Sequence, residues 1–250
     1  MDSPDKNKSS IVTPYGKKGQ SKKEEVATMF NNIAARYDLL NHVLSMGIDK
    51  GWRRKAVAYF KDNPPEFLLD VATGTADFAI TALKINPGKI TGVDISEGML
   101  EEGRKKIREK GLGDKIELVY GDSEQLPFAA HTFDGAMVAF GVRNFADLDK
   151  GLKDIHRVLK PGGKLVILEF SSPKAFPVKQ LYWTYFRYVL PVIGRLVSRD
   201  SAAYTYLPES VKVFPDGNLF LERLAGAGFH HTSQKQLTFG IASIYCGISK

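Results

Sequence analysis

Residues 68–77 read LLDVATGTAD: an apolar run, an acid, a short turn of small residues, then a second acid. A short apolar run before a glycine turn, with helical spacing after it, predicts a strand covered on both faces that feeds a helix. In sheets built this way ligands bind beyond the carboxyl ends of the strands, so this turn is the first candidate for a site. A dinucleotide would call for G-x-G-x-x-G, because backbone amides must approach a pyrophosphate closely. Here only Gly74 is present, with Ala76 where a second glycine would sit, and Asp70 and Asp77 add negative charge. Coulomb repulsion disfavours a diphosphate there.

The pattern repeats outward from this turn. KITGVD and KIELVYGD read as further strands, TFDGAMVAF and KLVILEF as two more, and helical spacing fills the intervals. The helix EGMLEEGRKKIREKG stops at Gly111, and ADLDKGLKDIHRVLKPGG is expected to stop at Pro161 and Gly162. After the helix GNLFLERLAGAG come HHTSQKQLTFG and IASIYCGIS, joined near Gly240 and therefore expected to pair antiparallel. The fold class is α/β: a doubly wound, mostly parallel, seven-stranded Rossmann-like sheet with an antiparallel hairpin at its end.

Three successive strands end in acids: Asp70, Asp94 in TGVDIS and Asp122 in VYGDSEQLPF. A nucleotide with positive charge and no phosphate suits them. S-adenosylmethionine is one, its ammonium met by an acid near the turn, its ribose by Asp94 and its adenine edge by Asp122 or Ser123.

The chain has 250 residues and a net charge of +7, and much of the excess lies in residues 1–23, where six lysines outweigh two aspartates. That stretch reads as a disordered basic arm, serving solubility or drawn to an anionic membrane or nucleic acid. It has no apolar signal-peptide core, so export is not expected. Lysines interleaved with aromatics are lacking, so nucleic acid is not the expected partner. One cysteine, Cys246, sits in an apolar strand pattern and excludes an internal disulfide. His230 and His231 are neighbours and on a strand would face opposite ways, so no metal is expected. Residues 181–197, rich in Tyr and Phe but interrupted by Arg187, Pro191, Gly194 and Arg195, do not form a membrane span.

LLDVATGTADFA, GVDIS, GDSEQLPF and RVLKPGGKLVILEFS together resemble class I S-adenosylmethionine-dependent methyltransferases over about residues 24–250. The resemblance narrows to the family that C-methylates the ring of menaquinone and ubiquinone precursors. YDLLNHVLSMGIDKGW matches its first signature at Tyr37, Asp38, Asn41, Leu44, Ser45 and Trp52, and FGVRN also matches. Leu40 replaces the usual Met and Asp49 the usual His. The family's GTGD is GTAD here, so Ala76 is expected in an ordinary α or β conformation.

The resemblance implies one methyltransferase domain at 24–250, with an N-terminal helical lid at 24–62 and an inserted aromatic helical segment at 174–210. It implies a soluble enzyme of menaquinone biosynthesis acting on a reduced prenylated quinol, with the ubiquinone-precursor ring or another phenol as the alternative acceptor. Cofactor contacts are expected from Asp70, Thr73, Gly74, Thr75, Asp94, Ile95, Asp122, Ser123 and Ala139. Arg143 is expected to stabilise the oxyanion or orient a water, unless it forms only a surface ion pair; Asn144 helps it. Tyr37 and Asp38 either close over the cofactor or mark a helix break capped by Asp38. Glu169 is placed to support the site. Residues 181–197 read as a membrane-facing lid over the prenyl tail, or as a homodimer or buried helix face. A cytoplasmic protein in peripheral contact with the inner membrane face is the expected setting.

Overall fold

The structure is a computed structural model that describes residues 12–45, 47–189 and 202–250. Seven strands form one sheet: β1 (Phe67–Val71), β2 (Lys89–Asp94), β3 (Ile116–Tyr120), β4 (Phe133–Ala139), β5 (Leu159–Phe170), β6 (Phe229–Leu237) and β7 (Ala242–Ser249). Their order is β3-β2-β1-β4-β5-β7-β6. The first five pair parallel; β7 runs antiparallel to both β5 and β6. The order reverses between β1 and β4, and the crevice outside their carboxyl ends is where ligands bind in such sheets.

Nine helices are described: α1 (Lys22–Ile33), α2 (Tyr37–Leu44), α3 (Ile48–Val57), α4 (Asp77–Ala82), α5 (Glu97–Glu109), α6 (Leu148–Val158), α7 (Val178–Thr184), α8 (Ala202–Val213) and α9 (Asn218–Gly226). Local chemistry sets several ends. Ser21 and Glu24 form a reciprocal capping box on α1, Ser96 caps α5, and Gly111 closes it at φ +63°. Apolar residues fill both faces of the sheet in two clusters, one around Leu68, Phe60 and Met137, the other around Leu69, Phe220 and Tyr245.

Two expectations need correction. The sixth helix ends at Val158, ahead of Pro161, because Leu159 already pairs with Phe133. The ladder then shifts register and resumes at Lys164 opposite Gly135, so the Pro-Gly-Gly run marks an irregular strand entry. His230 and His231 do not face opposite ways: the β6–β7 register shifts after His230, His231 has φ +50°, and the rings lie 4.6 Å apart. Among the described residues no group of three or more potential ligands is placed to hold a metal.

Candidate active site

Two cavities meet above the sheet. The smaller, about 70 Å³, is lined by Gly74, Asp94, Ile95, Asp122, Ser123 and Ala139 from the expected cofactor set. Asp94 accepts backbone hydrogen bonds from Gly74 N at 2.8 Å and Ser96 N at 2.9 Å, while burial pushes its carboxyl up. The turn alternates into the left-handed region at Ala72 (φ +53°), Gly74 (φ +57°) and Ala76 (φ +65°). Ala76 therefore contradicts the expected α or β conformation. Its buried methyl packs in the core while the backbone carries about 1–2 kcal/mol of left-handed strain.

Asp70, Thr73 and Thr75 do not line this cavity; they lie beneath the turn and hold it. The Thr73 hydroxyl donates to Asp70 at 2.7 Å, and burial raises the Asp70 carboxyl to about 7. The Thr75 hydroxyl donates to Asp38 at 2.6 Å, and Lys106 pairs with both Asp38 and Asp77 at 2.5 and 2.7 Å. Asp38 thus ties α2 to the turn and to α5, and does not cap its own helix. Tyr37 does cover the turn: a Cβ placed on Gly74 would stand 3.9 Å from its ring.

Lys22 and Lys23, expected at the end of the basic arm, form the first turn of α1; Lys23 lines the smaller cavity, and Lys22 holds the backbone beside it. Lys22 Nζ donates to the carbonyls of Arg143 (3.2 Å) and Phe145 (2.7 Å), and burial lowers its ammonium to about 8. Lys23 pairs with Asp122 at 2.5 Å and Glu124 at 3.1 Å. The smaller cavity still sets three carboxylates, Asp94, Asp122 and Glu124, against one lysine. That donor set suits a cationic nucleoside, as the strand-end acids suggested.

The larger cavity, about 560 Å³, has a mainly apolar wall built from α1, α2, α3, α7, α8 and the segment around Phe239. Phe30, Tyr37, Phe140 and Asn144 line both cavities, so the two open onto one another there. Arg143 reaches the larger one. It pairs with Glu169 at 2.7 Å, and that carboxylate also accepts from the Arg143 and Phe170 backbone amides at 3.3 and 2.8 Å. With side-chain exposures of 8% for Arg143 and 0% for Glu169, the surface ion-pair alternative is ruled out. The expected supporting carboxylate is what fixes this guanidinium in place.

The tilted Phe140–Phe170 pair, whose centroids are 4.6 Å apart, has Arg143 over Phe170 and a second guanidinium, Arg53, over Phe140. Arg53 pairs with Asp49, one helical turn before it on α3. This buried pair was missed in the sequence, although its i,i+4 acid–base spacing is visible there. Arg53 Nε, Arg143 Nε and Asn144 Oδ1 are buried with no hydrogen-bond partner, as are the hydroxyls of Tyr182 and Tyr206. Unspent polar atoms in an apolar wall fit a ligand with a small polar head on a greasy body. The aromatic segment contributes Leu181, Tyr182, Tyr185 and Phe186 to the wall; its expected continuation through 190–197 lies outside the described residues.

The family model described as the ubiE/COQ5 methyltransferase family matches residues 18–249. A relative from Bacteroides fragilis named demethylmenaquinone methyltransferase is 48% identical over 94% of this chain and 96% of its own. One from Geotalea daltonii, named ubiquinone/menaquinone biosynthesis C-methyltransferase UbiE, is 48% identical over 90% of this chain and 97% of its own. In fold, the chain is similar to a SAM-dependent methyltransferase from Thermotoga maritima, described as a possible histamine N-methyltransferase, with TM-score 0.63 at 20% identity, covering 89% of this chain and 99% of that one.

Proposed function

The chain belongs to the ubiE/COQ5 methyltransferase family, and from that premise we propose that it methylates a ring carbon of reduced demethylmenaquinone, with S-adenosylmethionine as donor. The observation that carries this reading is the junction at Tyr37, Phe140 and Asn144, where a carboxylate-lined cleft opens into an apolar cavity. When bound, S-adenosylmethionine supplies an electrophilic methyl on a good leaving group. The protein's share is then position and an activated ring carbon. Asp94, Asp122 and Ser123 line the smaller cavity and would hold the nucleoside, with Asp70 supporting the turn from below.

The acceptor must push electrons from a hydroxyl into the ring, which the quinol can do and the quinone cannot. The Arg143 guanidinium is pinned by Glu169, so it serves as a fixed cation for the developing oxyanion. Asn144 stands beside it with its Nδ2 donating to Phe140 O at 3.3 Å.

The prenyl tail fits the apolar part of the cavity. Ile48, Leu181 and Phe239 line that cavity yet are 40%, 66% and 79% exposed, so they mark its mouth. Tyr188 and Val189 extend the exposed apolar surface, with Arg187 beside Tyr188. An apolar rim carrying a cation suits peripheral contact with an anionic membrane, from which a polyprenyl substrate would enter. Among the described residues no helix is long and apolar enough to cross a membrane. Self-association through the same rim is the competing reading; flotation with anionic vesicles supports the first and concentration-dependent dimerisation without flotation the second.

The test of the activity is transfer of a labelled methyl group to demethylmenaquinone in reduced and oxidised forms. Label should enter the ring of the reduced form alone. Equal labelling of both forms, or none of either, refutes the proposal.

A further inference from the structure

Arg143 and Asn144 sit on a single helical turn, Val142–Asn144, that closes on itself through Asn144 N to Gly141 O at 3.0 Å and Phe145 N to Val142 O at 3.2 Å. The carbonyls at the end of such a turn have no partner within it. Two of them, Arg143 O and Phe145 O, accept from Lys22 Nζ at 3.2 and 2.7 Å, across 121 and 123 residues of chain. We infer that Lys22 is a positioning residue for methyl transfer: it makes the placement of Arg143 and Asn144 depend on α1 being seated over the cofactor cavity. The assignment rests on the quinol reading above.

Helix α1 lines both cavities. Lys23, Val26 and Phe30 belong to the wall of the smaller, and Met29, Phe30 and Ile33 to that of the larger. Its two ends are tied to different walls of the smaller cavity. Toward its C-terminus, Asn31 Oδ1 accepts from Ser96 Oγ at 2.7 Å and Gly98 N at 2.9 Å, just beyond the strand end that carries Asp94. At its N-terminus Lys22 grips the Arg143 turn directly. Lys23 reaches the same segment through Glu124, pairing with one oxygen at 3.1 Å while the other accepts from Ala146 N at 2.7 Å and Asp147 N at 3.1 Å. A nucleoside in the smaller cavity therefore meets the helix that also fixes the Arg143 turn.

Stability alone is a poor account of Lys22. Burial lowers its ammonium to about 8, with Glu124 opposing the fall and Arg143 adding to it. Two neutral carbonyls return only part of what leaving water costs a charge. What the contact does supply is geometry. Glu169 fixes the guanidinium and the amide of Arg143; the carbonyl is left, and Lys22 holds it. Placement on this scale matters, since a shift of about 1 Å from the productive geometry can lower a rate about 10²-fold.

The experiment uses the full chain with demethylmenaquinol in detergent micelles, comparing wild type, Lys22→Met and Lys22→Arg. Labelled S-adenosylmethionine reads turnover, and quenching of tryptophan fluorescence reads acceptor binding, Trp52 being part of the acceptor wall. In wild type, saturating adenosylhomocysteine should tighten demethylmenaquinol about fivefold or more. Lys22→Met, similar in length but without donors, should cut that coupling below about twofold and lower kcat about tenfold or more. Its adenosylhomocysteine affinity should stay within about threefold of wild type, because Lys23, Val26 and Phe30 remain. Lys22→Arg can still donate to both carbonyls and should recover most of the coupling and of kcat. Wild-type coupling and kcat in Lys22→Met overturn the assignment, as does a wild type that turns over without coupling. Parallel loss of melting temperature, cofactor affinity and activity in both variants also overturns it, making Lys22 structural. An inactive wild type removes the quinol reading itself, a result distinct from an active wild type without coupling.

Discussion

The two cavities share Phe30, Tyr37, Phe140 and Asn144 but are made of opposite materials. The smaller is walled by strand ends and tight turns and carries three carboxylates. The larger is walled by helices and aromatic rings, with two guanidiniums and one carboxylate among the described residues of an apolar shell. This difference sorts the ligands. A cationic nucleoside gains from the acids and nothing from the greasy cavity, whereas a neutral prenylated ring gains the reverse, including a cation for the oxyanion it forms. On the proposed function, methyl transfer happens where the two materials touch.

The sharpest way to break this comparison is Arg143→Ala. It should lower kcat by about 10²–10³, as for loss of one oxyanion-stabilising group, with adenosylhomocysteine affinity nearly unchanged in calorimetry. Glu169 would then be buried without its partner, at a cost of about 3–5 kcal/mol in stability. Adding Glu169→Gln should recover the melting temperature and leave turnover low. Equal losses of turnover and cofactor affinity would mean the two cavities are not separate in function.

Asp94→Asn tests the other side. It removes the charge that accepts from Gly74 and Ser96, and should weaken adenosylhomocysteine at least about tenfold, the loss of about 1.4 kcal/mol, with little change in acceptor KM. Raised acceptor KM with intact cofactor affinity would contradict the charge-sorting account.

Asp70→Asn sharpens the comparison through stability. The Asp70 carboxyl is raised from 3.8 to about 7 by burial, so the native state holds its proton more tightly than the unfolded chain. Its contribution is fully present below pH 3.8 and is lost as pH rises through about 7. Asp70→Asn, neutral throughout, should melt higher than wild type at about pH 8 and no higher at about pH 4, by some 2–4 °C for each kcal/mol. A constant offset across pH would show that the burial penalty is not what sets this site apart. The smallest effect is expected at Ala76→Gly, where relief of about 1–2 kcal/mol of left-handed strain opposes loss of a buried methyl, about 0.8 kcal/mol. A melting-temperature shift beyond about 3 °C would exceed that small difference.

The same contrast explains what could be read from the chain. The smaller cavity was legible because each part is local: an apolar run, a glycine turn and an acid at each of three strand ends. Even there Ala76 misled, since only the folded turn shows the left-handed backbone that its neighbours impose. The α1 lysines misled because Lys22 and Lys23 continue a basic run, and their partners Phe145 and Asp122 lie about a hundred residues on. The larger cavity depends on contacts of that kind throughout. Residues of α1, α3, α7 and α8 meet around Phe140 and Tyr204 with no spacing to announce it, so Asp49 showed only as a departure from a signature.

The most direct test is calorimetric titration of the protein with adenosylhomocysteine and, separately, NADH. Saturable uptake of adenosylhomocysteine with no heat from NADH is the predicted result. Tight NADH binding and indifference to adenosylhomocysteine would contradict the claim that strand-end carboxylates select a cationic, phosphate-free nucleoside.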